Sequence, residues 1–207
     1  MTAPKLAVPP GRAGRMWLAG RLGAARRGAD LLDRKLRILQ GELARLQAAA
    51  AQADAQWDRC QAEAANWLLR AALLGGERAI RLAADGQAAD VRVSYQTTMG
   101  IRYPGGAICT SPPAATWDSP VMARARQAHR TALAAAGEHA AAAAAVRAVE
   151  AEVRATRYRL RAVRDRWIPR LEQALAAVTF TIDELERADA ARLRLAVSSA
   201  KSRSVPS

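Results

Sequence analysis

Ala29-Asp30-Leu31-Leu32-Asp33-Arg34-Lys35-Leu36-Arg37-Ile38-Leu39-Gln40-Gly41-Glu42-Leu43-Ala44-Arg45-Leu46 decides the fold. Ala29, Leu32, Leu36, Leu39, Leu43 and Leu46 stand alternately three and four residues apart, and charged side chains fill most of the gaps. The spacing continues towards the N-terminus through Ala25, Leu22 and Leu18, and forward through Ala50, Ala53, Trp57, Cys60, Ala64 and Trp67. None of these positions is charged. The repeat averages 3.5 residues, less than the 3.6 of a straight helix, so the stripe stays against a partner only if the helices supercoil to the left. Roughly seven uninterrupted heptads exceed the three or four that identify a coiled coil.

The segment boundaries follow from turn and cap residues. Residues 1–11, with Pro4, Pro9 and Pro10, read as an irregular lead, and the first helix is expected over 12–74, ended by Gly75 and Gly76. Residues 75–118 form an insert. Within it Val91, Val93 and Tyr95 alternate with polar residues, as do Met99, Ile101 and Tyr103, which predicts two short strands in a hairpin. Pro104, Gly105, Gly106, Pro112 and Pro113 are expected in loop.

Ser119 and Pro120 then supply a helix cap and a first helical residue. The second helix, 119–195, resumes the alternating spacing at Ala125, Ala128, Ala132, Ala135, His139, Ala142, Val146, Val149, Val153, Thr156, Leu160, Val163 and Trp167. The stripe then slips by one residue, to Ile168, Leu171, Leu175, Val178, Ile182 and Leu185, beside Pro169, where a kink or local defect is predicted. Residues 196–207, Ser-rich and containing Pro206, read as a frayed tail. The insert is too short to span the length of such a helix. The fold class is therefore mainly α: a long antiparallel two-helix coiled coil with a small insert, a β-hairpin, at the end opposite the termini.

Composition supports thin helical packing, since only 4% of the chain is aromatic and alanine recurs in runs. Lysine and arginine total 32 against 19 acids, a net charge of +13, which implies an acidic partner without choosing among nucleic acid, membrane surface and protein cavity. The bias is densest in the first helix, at Arg12, Arg15, Arg21, Arg26, Arg27, Arg34, Lys35 and Arg37 against Asp30 and Asp33. A solvated face is one reading of that segment, and an electrostatic plug for an acidic protein cavity is the other. Nucleic acid is disfavoured, because aromatic interleaving is absent and Trp57 and Trp67 fall on the apolar stripe. Two cysteines, Cys60 and Cys109, without metal-ligand spacing, and no signal leader, fit a reducing cytoplasmic location.

Catalytic chemistry is not expected. No Gly-x-x-x-x-Gly-Lys-Ser/Thr loop occurs, so Gly105 and Gly106 read as a turn and direct nucleotide binding is not anticipated. His129 and His139 lack flanking acids at ligand spacing, and His139 reads as a tolerated polar position in the core. Asp183, Glu184 and Glu186 sit among arginines on a solvated stretch of helix, where surface pairing outweighs acid-base work. No catalytic residue, metal or cofactor is expected.

Three short motifs carry a family resemblance. Arg26-Arg27-Gly28-Ala29-Asp30-Leu31-Leu32-Asp33-Arg34-Lys35 resembles the first-helix motif of the D subunits of V/A-type ATP synthases and ATPases, the central stalk rotor family. Met99-Gly100-Ile101-Arg102-Tyr103-Pro104 resembles that family's insert element. Thr156-Arg157-Tyr158-Arg159-Leu160-Arg161-Ala162-Val163, followed by Trp167-Ile168-Pro169-Arg170-Leu171-Glu172, resembles its second helix, including the proline inside it. Ala162 and Asp165 depart from the usual asparagine and glutamate, and residues 188–195 lack the family's aromatic, lysine-rich ending.

The resemblance implies a non-catalytic central rotor shaft, peripheral to the cytoplasmic membrane, that transmits torque between a catalytic ring and a membrane ring. The implied partners are the catalytic and regulatory ring subunits, the small F subunit of the central stalk and a funnel-shaped subunit joining shaft to membrane. Ring contact is assigned on this basis to Arg26, Arg27, Lys35, Arg166 and Arg170. The rival readings are the stalk of a flagellar or secretion export ATPase, which normally lacks such an insert, and a basic scaffolding or DNA-associating coiled coil, which does not need the Pro169 motif.

Overall fold

The computed structural model describes residues 7–83, 88–111 and 119–203. The elements in order are α1 (Gly11–Ala83), β1 (Asp90–Thr98), β2 (Ile101–Thr110), α2 (Pro120–Arg161), a π-helical turn (Ala162–Trp167) and α3 (Ile168–Arg203). Two long helical stretches thus flank one antiparallel hairpin. Every seam position read from the first helix is buried or half-buried, from Leu18 through Leu39 and Cys60 to Trp67. On the returning stretch the same holds up to Ile182, while Leu185 is exposed.

Residues 35–156 form one compact unit. Its α1 portion runs past the expected stop. Gly76 breaks the helix with φ 69° and ψ 167°, a left-handed conformation that favours glycine, but helix resumes and continues to Ala83. At the start of α2, Ser119 Oγ accepts from the Met122 amide at 3.3 Å and Ser119 O from the Ala123 amide at 2.9 Å, the cap read from the sequence.

The hairpin turns on two residues, Met99 (φ 51°) and Gly100 (φ 83°), the paired positive φ angles of a turn whose twist matches that of the strands. Met99 is therefore a turn residue, not the strand residue expected. Pro104, Gly105 and Gly106 lie within β2, not in loop. Tyr95 pairs with Pro104 and Ser94 with Gly106, so Gly105 is the extra residue of a bulge. A Cβ on Gly105 would lie 2.7 Å from Gln96 Cγ, which explains glycine there. Pro112, Pro113 and Trp117 lie outside the described residues, as does Pro206.

Tyr103, Ala107 and Cys109 lie on the side of the hairpin that meets the helices. Tyr103 is 1% exposed and its hydroxyl donates to Glu42 Oε1 at 2.6 Å, while accepting from Thr98 Oγ1 at 3.0 Å. Arg45 grips the same carboxylate through both oxygens, at 2.6 and 3.0 Å. The Arg45 bonds, followed by that from Tyr103, hold the Glu42 carboxyl down at about 2.

Deeper in the unit, Trp57 stacks on His139 with ring centroids 5.0 Å apart, and Asp54 Oδ1 lies 3.5 Å from His139 Nδ1. The polar seam position thus has an aromatic shelf, while its Nδ1 makes no hydrogen bond among the described residues. Lys35 Nζ pairs with Glu152 Oε1 at 2.8 Å, and Thr156, fully buried, donates to the same oxygen at 3.4 Å.

Candidate functional site

Residues 1–34 and 157–207 make the second unit, so the first turns of α1 and the last stretch of the chain build one body. Leu18, Leu22 and Leu171 form its buried centre, with Trp17, Ala25, Trp167, Ile168, Leu175 and Val178 packed around them. Val8 joins from the lead. Gly14 lets the lead come close, because a Cβ there would sit 2.0 Å from Pro9 O.

The π-helical turn explains the one-residue slip of the apolar stripe. Ile168 donates its backbone N–H to Val163 O, an i to i−5 bond that encloses one residue more than the α-helical i to i−4 bond. Pro169 has no N–H to donate, which weakens the α-helical pattern at the same place. The extra residue rotates everything after it back into phase. Leu171 accordingly lies at 0% exposure and Ile182 at 6%, while Arg164, Asp165 and Arg166 point outward.

Charge decorates this body. Arg26 Nη2 pairs with Glu172 Oε1 at 2.7 Å and Arg12 Nη2 with Glu186 Oε1 at 2.6 Å, while Arg164 Nη2 lies 3.8 Å from Asp33 Oδ1. The hydrogen bond that Arg12 donates to Glu186, then the charge of that carboxylate, raises the Arg12 pKa above its ordinary value. Residues 1–34 and 157–207 hold 18 of the 32 lysines and arginines but only 8 of the 19 acids, so they carry +10 of the chain's +13. The remaining 122 positions are close to balanced.

The five basic residues assigned to ring contact are not equivalent. Arg26, Arg27 and Arg166 are exposed and Arg170 is half-buried. Lys35 belongs to the other unit and is engaged internally with Glu152, so its ammonium is committed within the chain. Among the motif residues, Leu171 is core, Leu32 and Ile168 are half-buried seam, Asp30 and Leu31 face outward, and Glu172 anchors Arg26. Gly28 faces open space, and nothing in the structure explains a glycine there. A recess lined by Tyr158, Arg161, Ala162, Asp165 and Arg166 lies over the π-helical turn. Sequence spacing had no signal for this recess.

The family model for the D subunit of ATP synthase matches residues 16–198. The chain belongs to that family. The match takes in both helical stretches, the hairpin and the π-helical turn, and membership makes the chain a stalk component of a rotary ATPase complex. No curated protein matches the chain. Among the described residues no helix is long and apolar enough to cross a membrane.

Proposed function

We propose that the chain is the central rotor shaft of a V/A-type ATP synthase or ion-pumping ATPase, itself without catalytic activity. It transmits torque between ATP hydrolysis or synthesis in a ring of alternating catalytic and regulatory subunits and the movement of protons or other ions through a membrane ring. The shaft sits on the cytoplasmic side, peripheral to the membrane, with the small F subunit and a funnel-shaped subunit as its stalk partners.

The observation that carries this reading is the concentration of positive charge on one of the two units, the one built from both chain ends. An axle end must turn inside a bearing without locking, and long-range attraction between a basic body and an acidic collar centres it without deep interlocking contacts. Arg27 and Arg166 are the outward charges proposed to meet the collar, with Arg26 and Arg170 beside them and Lys35 acting through Glu152 as an internal brace. The apolar seam supplies most of the resistance to sliding between helices, since exposed pairs such as Arg12–Glu186 are screened by solvent and add little.

The test combines recovery and kinetics. A chain tagged at Ser207 should co-purify with catalytic-ring and small-stalk subunits. Arg27→Glu with Arg166→Glu should weaken ring assembly and slow ATP turnover at low salt, with the difference from wild type shrinking at high salt. Recovery of an export ATPase, or of nucleic acid without any ATPase, overturns the reading.

A further inference from the structure

One carboxylate of the 35–156 unit has no cation of its own. Glu138, on α2, makes no ion pair, and its carboxylate no hydrogen bond, among the described residues. Its oxygens lie 3.4 and 3.6 Å from where a Cβ on Gly106 of β2 would stand, so the glycine leaves the carboxylate its place against the strand. Glu138 lines two spaces between the hairpin and the helices, one of about 430 Å³ and one of about 170 Å³, and Ala53 also lines both. Arg45 lines the smaller space, but its bonds go to Glu42.

The larger space is mostly apolar. Ala53, Ala107, Ala134 and Ala135 form much of its wall, with Gln56 and Thr131 as polar residues besides Glu138. Gln56 is engaged at both atoms of its amide, donating to Cys60 Sγ at 3.3 Å and accepting from Arg59 at 2.7 Å. Thr131 donates to Gln127 O at 3.1 Å, which leaves the lone pairs of its hydroxyl oxygen open. Thr131 and Glu138 are seven residues apart on α2, so about 10 Å of helix, carrying Ala134 and Ala135, separates them. The wall therefore offers a negative charge at one end, an acceptor at the other and small apolar side chains between.

We propose that this space binds a small alkylammonium ion, with the ammonium on Glu138 and the alkyl chain along Ala134 and Ala135 towards Thr131. A neutral apolar guest would strip water from an unmatched carboxylate, and an anionic one would be repelled by it. A cation with an apolar body offsets the desolvation of the carboxylate and fills the space together. The 35–156 unit is close to balanced in charge, so it opposes a cation far less than the arginine-rich unit does. Glu138 is exposed, which leaves the charged end of the space open to entry from solvent. The guest touches Ala53 on α1, Ala107 on β2 and Ala134 on α2, so its occupancy ties the hairpin to both helices.

The probe is hexylammonium chloride titrated into the full-length chain at neutral pH and followed by calorimetry, with hexanol as the uncharged analogue. Saturable binding at one site per chain, about tenfold or more tighter than hexanol, supports the proposal. Glu138→Gln should bring hexylammonium down to the level of hexanol. Ala134→Leu, which fills the space and keeps the carboxylate, should abolish binding of both. Cys60 and Cys109 also line the space, so iodoacetamide alkylation of Cys109, the more accessible of the two, should slow severalfold under saturating hexylammonium. Equal affinity for amine and alcohol overturns the proposal, as does amine binding unchanged by either substitution, an unprotected Cys109, or no saturable binding at all.

Discussion

Removing one residue from the π-helical turn tests the account of the register slip. Deleting Arg164 together with Pro169→Ala takes out the extra residue and restores the missing N–H, so an ordinary α-helix should run from Leu160 onward. The stripe would then read Leu160, Val163, Ile168, Leu171, Leu175, Val178 and Ile182 in unbroken three-and-four spacing, counted after the deletion. The cost should be within about 1 kcal/mol, since an exposed arginine and its 3.8 Å approach to Asp33 are all that is lost. If the turn does not compensate the slip, the same deletion rotates Leu171, Leu175, Val178 and Ile182 by about 100° out of the seam. A fully buried aliphatic side chain is worth about 1.5–3 kcal/mol, so with Leu171 and Ile182 buried and Leu175 and Val178 half-buried that outcome costs on the order of 4–9 kcal/mol, comparable to the whole stability of a domain. Urea unfolding followed by circular dichroism, with amide exchange over 171–182, separates the two. Retained cooperativity and protection support the reasoning; loss of both refutes it.

Two further outcomes follow from the polar contacts of the 35–156 unit. The Glu42 carboxyl, held at about 2 instead of 4.5, contributes stability that is present above its unfolded value and lost as pH falls from about 4.5 through 2. Tyr103→Phe removes one of its donors and should loosen the hairpin by about 1–2 kcal/mol at neutral pH, with the difference from wild type fading over that acid window. Amide exchange in β2 measured at several pH values reads both. Lys35→Met leaves the half-buried Glu152 with a weaker set of partners and should cost about 1–3 kcal/mol in urea unfolding, whereas adding Glu152→Leu should recover most of it. A double variant as unstable as the single one would mean that the pair contributes net stability, beyond the penalty of an unpaired acid.

The helical pair was legible because a seam of period 3.5 is a local property, readable from Leu18 to Trp67 without knowing what lies opposite. The slip before Ile168 was legible too, but not its form: a kink at Pro169 and a widened turn before it both shift the stripe by one residue. The choice was made by the backbone bond from Ile168 to Val163, a three-dimensional event. In the hairpin, the Pro104-Gly105-Gly106 run carried the composition of a loop. Pairing with β1 and burial of Tyr103 against Glu42 overrode that local preference and turned Gly105 into a bulge.

The candidate site divides in the same way. That the chain is basic, and that α1 begins with a dense run of arginine, could be counted from the letters. That Lys35 is spent on Glu152 while Arg27 and Arg166 point outward could not, because an arginine or lysine has the same spacing on a helix whichever neighbour it meets. Nor could the presence of Cys60 and Cys109 in the lining of one cavity, separated by 49 positions, be read from the chain. Sequence alone determined the helices, their seam and the sign of the charge, since these repeat along one dimension. Tertiary structure alone decided which charges are committed, how the register is repaired and which distant side chains share a space. Those depend on the order in which segments return past one another, and no local spacing encodes it.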